Sequence, residues 1–328
     1  MRRAMRVASD IIHADNAAIQ RAGELLRAGR LVAFPTETVY GLGADATSDM
    51  AVAQIFEAKG RPTFNPLIVH VQNVAEARRH ARFTADAEAL ANAFWPGGIT
   101  LVLPRVEKTP VSLLVSAGLE TVALRVPAHP LAQLLLRATG RPIAAPSANA
   151  SGEVSPTRAE HVMESLGHAE ALALILDGGA CPVGLESTVI GFPENGAPTL
   201  LRPGAIAREA IENVLAQKLE AADVASGEAG RSSPGQLASH YAPRSGLRLN
   251  AASPRGGELW LGFGAGAEKA DMNLSPSGNL TEAAANLFAM LRALDAMSDG
   301  RVIAVAPVPR AGLGEAINDR LARAAAPR

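Results

Sequence analysis

The chain has 328 residues, 48% hydrophobic and 19% charged, with a formal net charge of -1 and one cysteine, Cys181. This length and composition suit two domains with sizeable cores and exclude a disordered chain; near-neutral charge argues against bulk electrostatic attraction to nucleic acid and still permits a local basic pocket. A lone cysteine excludes a disulfide framework and a cysteine zinc cluster, so a reducing cytoplasm is the expected location, and Cys181 reads as a small buried side chain.

Residues 1–7 carry positive charge without the apolar core that a secretory signal has, and no apolar run approaches the roughly 20 residues of a membrane helix. Asp15 or Asn16 caps a first helix that Gly29 closes. Leu31-Val32-Ala33-Phe34 is a short buried strand that opens into the hydroxyl-rich loop Pro35-Thr36-Glu37-Thr38-Val39-Tyr40-Gly41-Leu42-Gly43. Helix is expected next, capped by Ser48 or Asp49, with Val52, Ile55 and Phe56 on its apolar face and Lys59-Gly60 at its end. The basic turn Lys59-Gly60-Arg61-Pro62-Thr63-Phe64-Asn65-Pro66-Leu67 then leads into a strand at 67–71. This order brings Thr36, Thr38, Lys59, Arg61, Asn65 and His70 into one region. Those groups suit an anion, because lysine supplies a point charge and arginine a planar donor fork.

Helices at 73–81 and 85–94 end at Trp95-Pro96-Gly97-Gly98, and a strand follows at 100–103. In the strand at 121–127, Thr121, Ala123 and Arg125 share one face and Val122, Leu124 and Val126 the other. A helix at 130–138 and a strand at 142–145 precede Pro146-Ser147-Ala148-Asn149, Ser151-Gly152 and Ser155-Pro156-Thr157, small polar residues that let backbone approach a ligand closely. Helix 157–166, strand 171–176, strands 186–190 and 199–204 and helix 206–219 follow. Alanine, glycine, serine and proline then dominate 221–235, which reads as a linker ending in Pro234-Gly235-Gln236-Leu237-Ala238-Ser239-His240-Tyr241-Ala242-Pro243. The rest reads as strands at 247–249, 258–263 and 301–306 with helices at 280–297 and 313–325, a small α/β unit. The expected organisation is a catalytic domain at 1–219, a linker at 220–246 and a small domain at 247–328.

Read singly, these residues have ordinary roles. A Lys-x-Arg turn is commonly solvated, Asn65 can serve its own turn before Pro66, His70 can be structural, Ser147 and Ser155 suit turns, Arg125 and Arg202 suit strand surfaces, and Tyr241 can anchor a linker. Two segments, Gly41-Leu42-Gly43-Ala44-Asp45-Ala46 and Gly262-Phe263-Gly264-Ala265-Gly266-Ala267, fit G-x-G-x-x-[GA]. The first has the basic turn where a ribose-binding acid is expected, and the second has no continuation into a nucleotide site. The sequence has no G-x-x-x-x-G-K-[ST] phosphate loop and no cluster at metal-ligand spacing.

Taken together, the loop at 35–43 and, one helix later, Lys-Gly-Arg-Pro-x-x-Asn-Pro-Leu with its strand ending in histidine resemble the YrdC/TsaC family of L-threonylcarbamoyladenylate synthases. The match continues through Arg202 and, more weakly, to the end of the chain, as in the longer two-domain form. The resemblance implies an α/β fold: a YrdC-like twisted mixed sheet with helices and a concave basic site, plus a small Rossmann-like C-terminal α/β domain. It implies formation of threonylcarbamoyl-AMP and pyrophosphate from L-threonine, bicarbonate or CO2, and ATP, for tRNA modification. ATP binding is then carried onto Arg61, Asn65, Thr121, Ser147, Asn149, Ser155, Arg202 and Tyr241, and threonine binding onto Thr38, His70, Arg125, Ala145 and Ser187. Lys59 and Arg61 would cancel charge during catalysis, and Mg2+ would arrive on the triphosphate without a protein metal site. The segment containing His-Tyr-Ala-Pro lies over the site in the family, so the linker is expected to act as a lid or positioning element. Gly98 stands where the family has a second proline. No general base stands out, since Glu37 and Glu186 read as salt-bridge or loop carboxylates. The expected partners are the tRNA-modification machinery, with weak RNA contact and no membrane. Two alternatives stay open: a non-catalytic RNA-binding module, and a carbamoyl-adenylate enzyme with another substrate, as in related domains of hydrogenase maturation proteins.

Overall fold

A computed structural model describes residues 10–193, 197–221 and 240–327. The readings of 1–7, of the linker at 222–235 and of the motif upstream of His240 lie outside the described residues. The chain begins with β1 (Asp10–His13), α1 (Asn16–Arg27), β2 (Leu31–Phe34), β3 (Gly41–Asp45), α2 (Asp49–Lys59), β4 (Ile68–His70), α3 (Val74–Ala77), α4 (Ala85–Phe94) and β5 (Ile99–Pro104). It continues with β6 (Thr121–Arg125), α5 (Pro130–Thr139), β7 (Ile143–Ala144), α6 (Ala159–Leu166), β8 (Leu172–Asp177), β9 (Thr188–Gly191), β10 (Thr199–Arg202), α7 (Arg208–Leu215) and β11 (Glu220–Ala221). The C-terminal unit holds β12 (Leu247–Arg248), β13 (Leu259–Gly262), β14 (Met272–Asn273), α8 (Leu280–Ser298), β15 (Ile303–Val305) and α9 (Leu313–Ala324).

The first unit is one mixed sheet in the order β1-β8-β2-β3-β7-β4-β6-β5-β9-β10-β11. Period-two alternation sorts its side chains: Val32 and Phe34 pack with α1 and α5, while Leu31 and Ala33 join the larger core under α2, α4 and α6. The alternation expected in β6 holds, with Val122 and Leu124 in that core and Ala123 on the opposite face beside Ile68, Val102 and Val189. Asp15 caps α1 by accepting from the Ala18 amide at 2.8 Å, and Ser48, rather than Asp49, caps α2. The second unit is a four-stranded parallel sheet, β12-β15-β13-β14, packed against α8 and α9. Its core takes in Val39, Val154 and Leu185 from the first unit, so the two share buried apolar surface.

Four differences from the sequence reading have physical causes. The loop after β2 does not lead directly to helix: residues 41–45 return as β3, antiparallel to β2, a strand hidden by its two glycines. Gly43 is required there, because a Cβ would lie 2.8 Å from the Phe34 ring and 3.0 Å from Ile143. The expected helices at 73–81 and 206–219 shorten to α3 and α7. Glu220 and Ala221, placed in the linker, pair with β10 as β11. β1 offers only Ile11 and Ile12 between Asp10 and His13, and β14 has only two residues, so neither stands out as an apolar run. Among the described residues, no helix is long and apolar enough to cross a membrane.

Candidate active site

The ends of β4 and β6, the loops at 35–40 and 145–149, and the chain entering β9 surround one pocket. It is lined by Thr36, Thr38, Val39, Gly41, Arg61, Ile68, His70, Arg125, Ala145, Pro146, Ser147, Glu186, Ser187, Arg202, His240 and Tyr241. Nine of the residues given ligand roles from sequence are among them: Thr38, Arg61, His70, Arg125, Ala145, Ser147, Ser187, Arg202 and Tyr241. His70 and Arg125 are lateral partners on β4 and β6, which sets them side by side.

The loop before β3 is folded by its own hydroxyls. Thr36 Oγ1 donates to the Val39 carbonyl at 2.7 Å, accepts the amides of Thr38 and Val39, and lies 2.8 Å from Thr38 Oγ1. With the Thr36 proton so used, Thr38 is the donor in the hydroxyl pair and keeps lone pairs for a ligand. Arg125 donates to the Gly97 carbonyl at 3.2 Å and to Glu37 at 2.5 Å. Burial alone would raise the Glu37 pKa, but Arg125 and the Ala128 amide outweigh it and hold the carboxyl below its ordinary range. Glu37 is therefore the salt-bridge carboxylate expected from sequence.

Across the pocket, Arg61 donates to the carbonyls of Asn65 and Pro66, at 3.2 and 2.9 Å, and Arg202 to the carbonyl and hydroxyl of Ser187. Burial lowers the Arg61 pKa to about 10, with Tyr241 opposing and the nearby Arg202 charge adding to the shift. Glu186 accepts from Ser155 on one oxygen, at 2.6 Å, and from Arg320 on the other, at 2.9 Å. Desolvation opposes its ionisation, yet Arg320, Arg202 and Ser155 bring its pKa down to about 2. His70 and His240 are held neutral by burial, each lowered to about 3.

Five expected ligands do not line the pocket. Lys59 lies behind it, with Nζ donating to the carbonyls of Ser147 (2.6 Å) and Asn149, and burial, reinforced by Arg61, pushes its ammonium well below the lysine range. Asn149 donates to the carbonyls of Ala150 and Glu153, Asn65 supplies the carbonyl that Arg61 holds, and Ser155 serves Glu186. Thr121 sits four residues before Arg125 on β6, about 13 Å along an extended strand. Conversely, sequence reasoning did not assign ligand roles to Val39, Gly41, Ile68, Pro146, Glu186 or His240. His240 had a signal, its place beside Tyr241 in the motif; Glu186 was read as a salt-bridge or loop carboxylate, and its ion-pair partner Arg320 lies in the other sheet unit.

Among the described residues, eight have buried side-chain polar atoms without a partner: Asn65, His70, Asn149, His240, Tyr241, Trp260, Arg292 and Arg320. Three of them, His70, His240 and Tyr241, line this pocket, and two more, Asn65 and Arg320, bond to Arg61 and Glu186, which do. Such orphans are rare in folded proteins, and five of the eight gather at this pocket. Neither glycine-rich segment competes as a nucleotide site: the first is β3 itself, and the second folds on its own turn, with Glu268 accepting from the Gly266 amide. Cys181 is buried outside the pocket lining and its thiol is pushed up to about 12 by desolvation, so it offers no nucleophile.

A family model described as "Telomere recombination", Sua5/YciO/YrdC, matches residues 24–204, and one described as "Threonylcarbamoyl-AMP synthase, C-terminal domain" matches residues 206–326. A threonylcarbamoyl-AMP synthase of Bacillus subtilis is 41% identical, covering 97% of this chain and 95% of its own length. One from Pyrococcus abyssi is 41% identical over 93% of both chains. A crystal structure of P. abyssi Sua5 complexed with L-threonine superposes with a TM-score of 0.86 at 39% identity, covering 97% of this chain and 96% of that one.

Proposed function

The chain belongs to the Sua5/YciO/YrdC family in its two-domain form, and we propose that it is an L-threonylcarbamoyladenylate synthase, joining L-threonine, bicarbonate or CO2, and ATP into threonylcarbamoyl-AMP with release of pyrophosphate. The observation that carries this reading is a pocket lined by three buried arginines, Arg61, Arg125 and Arg202, with unpartnered polar atoms around it. Two anions have to meet without repelling, and fixed cations in a dry site achieve that without a covalent nucleophile.

On this reading Arg125, positioned by Glu37, takes the threonine carboxylate, and Thr38, His70, Ala145 and Ser187 complete that end. Thr38, with lone pairs left over, suits the ammonium group. The ammonium releases a proton to solvent; the free amine then adds CO2 with loss of a second proton, or condenses with bicarbonate with loss of water, to form N-carboxythreonine, whose new carboxylate attacks the α-phosphorus and expels pyrophosphate. Arg61 and Arg202 hold phosphate oxygens beside Ser147 and Tyr241, while Lys59, Asn65, Asn149 and Ser155 hold the surrounding loops. Thr121 lies outside this pocket's lining. Mg2+ carried on the triphosphate would add charge neutralisation, with mostly phosphate and water ligands. The cavity is about 50 Å3, room for a few waters, and His240 and Tyr241 are among the residues that line it. A cytoplasmic location and transfer of the product to the tRNA-modification machinery fit the reaction.

The test is pyrophosphate release by the purified protein with ATP, Mg2+ and bicarbonate. Release is expected with threonine, with little from serine and none without an amino acid. Equal release in all three mixtures would remove threonine from the reading.

A further inference from the structure

Arg320 is fully buried on α9, in the C-terminal unit, yet it reaches the wall of the pocket. Its Nε donates to Glu186 at 2.9 Å, its Nη1 donates to Asp319 at 2.6 Å, and its guanidinium lies 5.0 Å from the centroid of the Tyr241 ring. The Tyr241 ring also stacks with Phe288 of α8, at 5.5 Å and 24°. Its Nη2 is buried without a partner. A buried ion pair of this sort is a poor source of stability, because desolvating both charges offsets their attraction. Its placement has a different consequence. Glu186 lines the pocket, and an unengaged carboxylate there would repel the triphosphate. Ser155 takes one Glu186 oxygen and Arg320 the other, so the carboxylate is occupied on both.

We propose that Arg320 is the residue through which the C-terminal domain positions the active site, occupying Glu186 so that its charge does not oppose the triphosphate and seating Tyr241 at the pocket wall. This rests on the functional reading above. Arg320 acts through Glu186 and Tyr241 and is a positioning residue; the small domain is thereby part of the nucleotide site.

The test uses the full-length chain, with dissociation constants for ATP and for threonine measured by calorimetry on wild type, R320A, R320K and the double variant R320A/E186Q. R320A should weaken ATP about tenfold or more, the size of a lost charge-assisted hydrogen bond, and leave threonine within about twofold. R320K, which keeps the charge but loses the fork, should fall between R320A and wild type, and it carries the test if R320A does not fold. The double variant should recover most of the ATP affinity, since the repelling charge is gone. A purely structural role would lower the binding-competent fraction without changing either constant of the folded molecules. Wild-type ATP affinity in R320A or R320K, equal weakening of both ligands, or no recovery in the double variant overturns the proposal. Failure of the functional reading shows separately, as a wild-type protein that binds ATP but releases no pyrophosphate with threonine.

Discussion

His70, His240 and Glu186 are kept in the charge state that burial or partners select, and this fixes how stability must respond to acid. Both rings have folded pKa values of about 3, below the ordinary 6.5. As pH falls the unfolded chain therefore takes up those protons first. The stability they contribute is complete above pH 6.5 and is lost from there down toward pH 3. Glu186, lowered from 4.5 to about 2, adds a loss that begins near pH 4.5 and is complete below pH 2. Each group contributes at most about 1.4 kcal/mol per pH unit within its window. Urea midpoints should hold steady from pH 8 to 7 and fall steeply between pH 6.5 and 4; a flat profile across that range would mean that the rings are protonated in the fold. At this scale the site was largely legible, because Thr38, Arg61, His70 and Arg125 lie in short, stiff segments whose local order determines where they point. Lys59 shows the limit: its position was readable, but that its ammonium holds the 147–149 loop from behind, rather than facing the pocket, depends on a segment about ninety residues away.

At the scale of elements, the helices announced themselves by cap and period, and α1, α2, α5, α8 and α9 stand within a residue or two of their expected bounds. The missed elements are those whose pattern is supplied by neighbours. β3 is glycine-rich because Phe34 and Ile143 fill the space that side chains would take, so it lacks the branched residues by which a strand is recognised. Gly184 gives the same lesson at the contact between units. Its φ is +73°, and a Cβ would lie 2.4 Å from the Ala284 carbonyl oxygen and 2.6 Å from Ala285 Cα, both on α8. Gly184→Ala should therefore force the chain leading to Glu186 away from α8 and cost roughly 2 to 4 kcal/mol, from overpacking together with left-handed strain. Equilibrium denaturation measures this, and an unchanged midpoint would show that α8 yields freely.

Across the whole molecule, the two sheets are joined through the site and not merely tethered beside it. Val39, Val154 and Leu185 enter the core of the C-terminal unit, Arg208 pairs with Glu315 at 2.5 Å, and Arg320 reaches Glu186. Composition changes near residue 220, where the first sheet ends, but the sharing of a core was not legible, since no local pattern records which surfaces meet. The central claim is that threonine and ATP are joined in this pocket through a carbon taken from bicarbonate. The most direct measurement is to supply 13C-bicarbonate with ATP, Mg2+ and threonine and to analyse the adenylates by mass spectrometry. The account predicts an adenylate carrying both threonine and one labelled carbon, formed in step with pyrophosphate. An adenylate of threonine without the label, or AMP and pyrophosphate with no conjugate, would contradict it.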